Sequence, residues 1–138
     1  MRYKGTDEMR VITGTARGRV LRTLEGEDVR PTTDRVKEAV FSIIQFEIEG
    51  RRVLDLFAGS GQLGIEALSR GADSATFVDM SKDSLATVKY NLEHTKLGDR
   101  AKVIQTDALS FLKLTKDRFD IVFIDPPYAL SLIHISEP

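Results

Sequence analysis

Residues 53–64 combine an acidic side chain with a glycine-rich turn, and both could bind a small ligand. The segment reads V-L-D-L-F-A-G-S-G-Q-L-G, in which Asp55 lies shortly before Gly59. Glycines allow a ligand to approach the backbone closely, and the unpaired N–H groups at the start of a helix can bind polar ligand groups. The pattern therefore predicts a strand, a tight turn and a helix that together form a ligand site.

Residues 59–64 also fit the G-x-G-x-x-G pattern of dinucleotide-binding turns, so two ligands compete for this segment. Asp55 would repel a pyrophosphate seated on the turn, whereas a carboxylate suits the ammonium and sulfonium groups of S-adenosylmethionine. The turn also has no lysine or arginine that could bind phosphates, which is unlike a P-loop. These features favour a site for S-adenosylmethionine over a site for NAD. Either interpretation is favoured over a glycine turn that binds no ligand.

Two further acidic side chains follow predicted strands. Asp79 follows the apolar run 74–78. It lies about 20 residues after the glycine turn, the spacing at which a carboxylate can accept hydrogen bonds from both ribose hydroxyls of S-adenosylmethionine or NAD. Asp107 follows the predicted strand 102–105. It could accept a hydrogen bond from an adenine amino group or cap the next helix, and the two roles are compatible.

The motif Asp125-Pro126-Pro127-Tyr128 follows the apolar run 119–124 and is the most specific tetrapeptide of the chain. Two prolines stiffen the backbone and remove two N–H donors, which leaves carbonyl oxygens and the Asp125 carboxylate as acceptors. Such acceptors can bind both hydrogens of an exocyclic amine and direct its lone pair toward an electrophilic methyl group, while Tyr128 stacks on the base. The alternative is a rigid turn with a half-buried tyrosine.

A parallel sheet would bring these residues together. Predicted helices over 62–71, 81–98 and 108–114 alternate with the predicted strands, which indicates a parallel α/β sheet with right-handed crossovers. Every acidic or glycine motif then falls at the carboxyl end of a strand.

The segment before the sheet has elements of its own, and residues 9–23 predict an arginine-carrying β-hairpin. The helix that follows has a predicted apolar face and a polar entrance near Arg30, Thr33, Asp34 and Arg35. The predicted apolar face consists of Val36, Val40, Ile43, Ile44 and Phe46.

Composition limits the possible classes of function. The chain has 138 residues, of which 41% are hydrophobic, a formal net charge of -1 and no cysteine. One domain is expected, with no disulfide, thiolate nucleophile or metal site. No apolar run is long enough to span a bilayer and no signal-peptide pattern is present, so a cytoplasmic protein is expected. Residues 9–37 are net positive, which is typical of a solvated surface or of contact with phosphates.

The glycine segment, the acidic strand ends and D-P-P-Y resemble the motifs of class I S-adenosylmethionine-dependent methyltransferases that act on exocyclic amines. More narrowly, M-R-V-I-T-G-T-A-R-G-R-V-L and R-P-T-T-D-R-V-K-E-A-V-F-S-I are similar to the N-terminal segment of the bacterial 16S ribosomal RNA guanine-N2 methyltransferase family. The resemblance covers residues 9–128 and implies a Rossmann-like sheet with an N-terminal hairpin extension. It also implies methylation of a guanine 2-amino group in 16S ribosomal RNA or a small-subunit assembly intermediate.

The resemblance implies that the donor, S-adenosyl-L-methionine, binds at the glycine turn and the next two strand ends. Asp55, Gly59 and Gly61 would hold its methionine part, Asp79 its ribose and Asp107 its adenine end. The full set of expected cofactor-binding residues is Asp55, Phe57, Gly59, Ser60, Gly61, Asp79, Met80, Asp107 and Ala108.

The resemblance also assigns the substrate side. Asp125, Pro126 and Tyr128 are the expected catalytic residues and would hold a guanine flipped from its stack. Asp125 need not be a strong base, because the amine can lose its proton after the methyl group has moved. The expected substrate contacts are Arg10, Arg17, Arg19, Arg30, Thr33, Arg35 and Pro127.

The sequence predicts three segments: a tail and hairpin extension over 1–29, a methyltransferase domain over 30–128 and an atypical tail over 129–138. Class I methyltransferases have seven strands, whereas this sequence predicts four, and the tail is unlike the continuation expected after D-P-P-Y. A truncated, monomeric chain with an encoded donor site and an incomplete substrate side is therefore expected. The alternatives are a DNA or RNA adenine-N6 amino-methyltransferase and a non-catalytic RNA-binding module.

Overall fold

An antiparallel hairpin precedes a four-stranded parallel sheet in the structure, a computed structural model that describes residues 9–24 and 34–126. The strands are β1 (Met9–Arg10), β2 (Val20–Leu21), β3 (Arg52–Asp55), β4 (Ser74–Asp79), β5 (Ala101–Gln105) and β6 (Ile121–Phe123). The helices of the described residues are α1 (Asp34–Ile44), α2 (Gln62–Ser69), α3 (Lys82–Thr95) and α4 (Ala108–Leu114), with a 3-10 turn at Gly98–Arg100. No helix among these residues is long and apolar enough to cross a membrane.

The sheet has the strand order β5–β4–β3–β6, and every pair of neighbours is parallel. The predicted parallel α/β sheet with a separate hairpin is therefore confirmed. Because β4 and β5 lie on one side of β3 and β6 lies on the other, the direction of winding reverses at β3. In open α/β sheets ligands bind at this point, beyond the carboxyl ends of the strands. Asp55, the last residue of β3, lies there.

The two central strands are apolar because helices cover both faces of the sheet. Val53 and Phe77 point to one face, where they pack in a buried cluster with residues of α2 and α3. Leu54 and Val78 point to the other face and pack with Phe111 of α4. This alternation follows from the two-residue period of a strand, and it leaves the strand ends as the polar rim of the sheet.

Helix α1 buries only part of the face that its sequence predicts, since Val40 and Ile44 pack against the core but the rest of that face does not. The apolar pattern places Phe46 and Ile43 on the buried side, but they are 91% and 80% exposed, and the helix ends at Ile44. Phe41 and Lys37 are fully buried instead. The reason is electrostatic: the Lys37 ammonium lies 3.3 Å from a carboxylate oxygen of Glu66, which is also fully buried. A buried partner charge makes burial of the lysine possible.

The hairpin packs against α2 through close backbone contacts. The N–H groups of Thr15 and Ala16 donate to the carbonyl and hydroxyl oxygens of Ser69, each at 2.9 Å. At Gly14, which has a φ of 97°, an added Cβ would lie only 1.9 Å from the Ser69 carbonyl oxygen. Only glycine fits this position. The hairpin is therefore attached to the same helix that follows the glycine turn.

Candidate functional site

The turn before α2 has the conformation that its glycines predict. Gly61, the residue before the helix, has a φ of 85°, in the left-handed region that glycine adopts readily. Gly61 has no side chain that could cap the helix. Asp55 supplies the missing acceptor from the end of β3, because its Oδ2 accepts a hydrogen bond of 3.0 Å from the Gly64 N–H. The carboxylate thus joins the strand to the helix start.

Asp55 lies in an unusual electrostatic environment. Its side chain is buried, and burial raises its pKa to about 7. The hydrogen bond from Gly64 opposes this shift, whereas the nearby carboxylates of Asp125 and Asp79 add to it. Burial and like charges both disfavour the ionised form of a carboxyl group. Three acidic groups therefore share this edge of the sheet, an arrangement that a cationic ligand would stabilise.

Asp55→Asn is expected to stabilise the ligand-free chain at pH 8 by about 2–4 kcal/mol. The pKa of Asp55 is about 7 in the folded chain and near its ordinary value of 3.8 when unfolded. Because only the folded state keeps the proton between these values, stability falls as the pH rises from about 4 to 7. Asparagine has no such titration and retains an oxygen for Gly64.

Thermal unfolding of the wild type and Asp55→Asn between pH 4 and pH 8 measures this effect. The two chains should have similar stability near pH 4 and diverge toward pH 8. An equal difference at every pH would contradict the raised pKa of Asp55.

Asp79 holds the glycine turn against the end of β4. Its Oδ2 accepts from the Gly59 N–H and its Oδ1 from the Ser81 N–H, both at 2.9 Å. Each carboxylate oxygen has a second lone pair, so both can accept another donor. The spacing of about 20 residues predicts a ribose contact. The structure adds a second role, since Asp79 also fixes the turn that the ligand would approach.

Asp107 caps α4, one of the two roles that its sequence position predicts. Its Oδ2 accepts a hydrogen bond of 2.9 Å from the Ser110 N–H. Hydrogen bonds from the hydroxyl and the N–H of Ser110 lower the pKa of Asp107. Its contact with adenine stays a prediction. Two further residues predicted to bind the donor follow acidic strand ends: Ala108 is half-buried and Met80 is 68% exposed.

A small cleft of about 100 Å³ is lined both by the glycine turn and by Asp125, the first residue of the D-P-P-Y motif. Asp125, two residues after β6, lines this cleft together with the turn. Pro126 beside it is half-buried. The cleft is lined by Met9, Thr23, Leu24, Phe57, Ala58, Gly59, Ser60, Gln62, Leu63 and Asp125. Asp79, Met80, Asp107 and Ala108 lie along the same edge of the sheet, beyond this lining.

Gln62 is a candidate ligand-binding residue that sequence reasoning missed. Its Oε1 is buried and has no hydrogen-bond partner among residues 9–24 and 34–126, and the residue lines the cleft. A buried acceptor without a hydrogen-bond partner lowers the stability of the fold by about 1–3 kcal/mol. A ligand N–H group that donates to this oxygen would remove that penalty. The only sequence signal was its place as the first residue of the helix after G-S-G.

A larger groove of about 430 Å³ lies at the opposite edge of the sheet, at the amino ends of the strands. Exposed ion pairs border it, with 3.5 Å between Arg52 and Asp120 and 3.3 Å between Lys102 and Asp117. None of the predicted site residues lines this groove. Ligands of open α/β sheets bind at the carboxyl ends of the strands, so the smaller cleft is the candidate site.

Comparison with known proteins assigns the family. A family model described as Conserved hypothetical protein 95 matches residues 9–137. The chain belongs to this family. It is 44% identical over 128 residues to ribosomal RNA small subunit methyltransferase D of Haemophilus influenzae, an alignment that covers 91% of this chain and 66% of that protein. The chain spans about two thirds of the length of the curated relatives that it matches.

Solved structures agree with the fold of this Conserved hypothetical protein 95 member. A hypothetical protein of Thermus thermophilus is similar with a TM-score of 0.79 and 34% identity, over 91% of this chain and 73% of that one. The protein SMU.776, solved in complex with SAH, is similar with a TM-score of 0.58 and 26% identity, over 67% of this chain and 24% of that one. The family resemblance and the Rossmann-like fold class are confirmed.

The predicted RNA contacts of this family member that fall within the described residues are not gathered at the cleft. The backbone of Arg17 and Arg19 lies in the hairpin turn beside Ser69, at the far end of α2 from the cleft. A helix of this length spans about 12 Å. The Arg10 guanidinium donates to the Gly18 carbonyl at 3.4 Å, within the hairpin, and Arg35 is exposed on α1. Four predicted site residues lie outside the described residues: Arg30, Thr33, Pro127 and Tyr128.

Proposed function

We propose that this chain carries the donor site of an enzyme that methylates a guanine 2-amino group in 16S ribosomal RNA. The observation that carries the proposal is the cleft that Asp125 and the glycine turn line together. A donor on the turn and an amine held by Asp125 would meet there. The Haemophilus influenzae relative is named as a ribosomal RNA methyltransferase, which supports a ribosomal substrate. Such a substrate would place a bacterial enzyme in the cytoplasm.

The residues in and beside the cleft fit S-adenosyl-L-methionine as the cofactor. When bound, this donor supplies a methyl group attached to a cationic sulfur. The carboxylates of Asp55 and Asp79 favour a positive charge nearby, and the buried Oε1 of Gln62 can accept from an ammonium group. Asp79 retains lone pairs for ribose hydroxyls. The complex of SMU.776 with SAH, the demethylated form of the donor, supports the same choice.

Catalysis would depend mainly on alignment of the amine. The Asp125 carboxylate and the Pro126 carbonyl are hydrogen-bond acceptors just after the carboxyl end of β6. Together they could bind both hydrogens of a guanine 2-amino group. This would direct the nitrogen lone pair toward the glycine turn. Alignment of this kind can supply several kcal/mol of the reduction in barrier. The amine proton would leave after the methyl group has moved, so an ordinary aspartate suffices as its acceptor.

Asp125→Ala is expected to lower methyl transfer at least 100-fold while leaving donor affinity within about threefold. The reason is that Asp125 would bind the amine and not the donor. We would measure tritium transfer from labelled donor to in vitro-transcribed 16S ribosomal RNA, assembled small subunits and naked DNA. Calorimetric titration with S-adenosylmethionine runs in parallel, and labelled RNA is digested so that the methylated nucleoside can be identified.

The product distinguishes the candidate functions. N2-methylguanosine in ribosomal RNA supports the proposal, whereas N6-methyladenine in DNA or RNA would identify an adenine amino-methyltransferase and contradict it. RNA binding without any methyl product, unaffected by Asp125→Ala, would identify a non-catalytic RNA-binding module. Failure of the folded chain to bind S-adenosylmethionine would reject the cofactor, and titration with NAD would follow.

A further inference from the structure

Arg22 occupies a defined position just after the hairpin, on the surface of α3. Its guanidinium carbon lies 3.7 Å from the centre of the Tyr90 ring. On the helix, Tyr90 also stacks on His94, with ring centres 5.9 Å apart and planes only 10° from parallel. Cation–π attraction holds an arginine side chain against the face of an aromatic ring. The three side chains form a continuous stack that we call the Arg22 stack.

A buried amide ties the Arg22 stack to the glycine turn. Asn91, fully buried on α3, accepts from the Arg22 N–H at 2.8 Å and donates to the Arg22 carbonyl at 3.0 Å. The same Nδ2 atom donates to the Ser60 carbonyl at 2.9 Å. Because both carbonyl oxygens bond one nitrogen, they lie within about 6 Å of each other. The backbone of Arg22 is thus fixed beside the candidate donor site.

The Arg22 guanidinium retains its hydrogen-bond donors for another molecule. Among the described parts of the chain it makes no hydrogen bond and no ion pair; its contact is the face of the Tyr90 ring. Stacking uses the face of a guanidinium, whereas its five N–H donors project from the edge in the plane. An arginine held in this way is ordered before binding and can still form the two parallel hydrogen bonds that a phosphate accepts.

We propose that Arg22 is a phosphate-binding residue for the RNA substrate, and that Tyr90 is the positioning residue that orders its guanidinium. The inference rests on the proposed function, since it takes RNA as the substrate. Arg17 and Arg19 carry the same charge, but their backbone lies at the other end of α2. Arg22 lies beside the turn, where RNA must be held while its target base enters the cleft.

The test measures binding of the 138-residue chain to fluorescently labelled 16S ribosomal RNA at several salt concentrations. Arg22→Ala is expected to weaken binding about 5- to 20-fold and to reduce the slope of log K against log[salt] by about 1. Arg22→Lys should recover only part of the affinity, because lysine keeps the charge but lacks the fork of donors. Arg118→Ala is the matched control, since Arg118 is an exposed arginine at the amino ends of the strands.

Variants of Tyr90 separate positioning from charge. Tyr90→Leu should weaken RNA binding about two- to fivefold although no charge changes, whereas Tyr90→Phe, which keeps the ring face, should bind like the wild type. Donor affinity, measured by calorimetry, should stay unchanged in every variant because none of these residues is an expected donor-binding residue and none lines the cleft.

Each contrary outcome has a distinct meaning. Equal RNA affinities of Arg22→Ala and Arg118→Ala, with tight binding by the wild type, would overturn the role of Arg22 and leave the proposed function standing. An unchanged RNA affinity in Tyr90→Leu would overturn the positioning role. A parallel loss of donor binding in Arg22→Ala would show a structural defect and overturn the phosphate contact. No RNA binding by a wild type that binds the donor would reject the RNA substrate and Arg22 together.

Discussion

Replacement of Glu66 by alanine is expected to destabilise the chain by about 3–5 kcal/mol. The Glu66 carboxylate is fully buried and lies 3.3 Å from the Lys37 ammonium and 2.8 Å from Nε of Arg70. Arg70 is partly exposed and can turn toward water, but Lys37 is fully buried. Alanine would therefore remove the carboxylate that lies 3.3 Å from this buried ammonium. Urea unfolding of the wild type and the variant measures the difference.

The same change should release the hairpin. The two carboxylate oxygens of Glu66 also accept from the N–H groups of Ile12 and Thr13, at 2.9 and 3.0 Å. From the other side, the Lys37 ammonium donates to the carbonyl of Arg10 at 2.8 Å. Hydrogen exchange in Glu66→Ala should therefore accelerate in residues 9–24 more than in the central strands, since the hairpin loses direct bonds.

A double variant tests whether loss of one partner of the buried ion pair is the cause. Lys37→Met combined with Glu66→Gln removes both buried charges and keeps similar volumes, with an amide oxygen still available for the hairpin. Neutral replacement of a buried ion pair costs much less than removal of one partner, so we expect the double variant to recover more than half of the stability lost in Glu66→Ala. Equal destabilisation of the two would show that packing, and not charge, dominates at Glu66.

Asp79→Ala is expected to weaken S-adenosylmethionine binding at least 100-fold, about 2.7 kcal/mol. Two effects combine: the expected ribose acceptors are lost, and the Gly59 and Ser81 N–H groups lose the acceptors that fix the turn. Because Asp79 is only half-buried, water can replace part of these bonds and the fold should remain, at a cost of about 1–2 kcal/mol. Calorimetric titration measures the affinity and thermal unfolding checks the fold.

Two companion variants define the cause. Asp79→Asn keeps one acceptor oxygen and should bind the donor with intermediate affinity. Asp83→Ala removes the same charge from an exposed position in the first turn of α3 and should bind like the wild type. A similar loss in Asp83→Ala would attribute the effect to net charge, and an unchanged affinity in Asp79→Ala would reject Asp79 as a donor-binding residue.

Local patterns in the amino-acid sequence are enough to predict the class and order of the elements and the edge of the sheet that carries the site. Apolar runs, glycines and acidic strand ends are such patterns, and the parallel arrangement follows from their alternation. The positive φ of Gly61, the cap at Asp107 and the meeting of Asp125 with the glycine turn were all within reach of this reasoning. Each depends on residues near in sequence or on the common end of parallel strands.

The pairing of distant side chains depends on tertiary packing. Lys37 belongs to the net positive segment 9–37, for which a solvated surface is one expectation, yet it is buried. Burial of a charge becomes tolerable only when a partner is present, and here Glu66 supplies that partner from another helix. The contact of Arg22 with Tyr90 joins the end of the hairpin to a helix far along the chain. The hydrogen bond from Gly64 to Asp55 likewise depends on how β3 and α2 pack. Such pairings depend on packing geometry, which local patterns of apolar and polar residues do not contain.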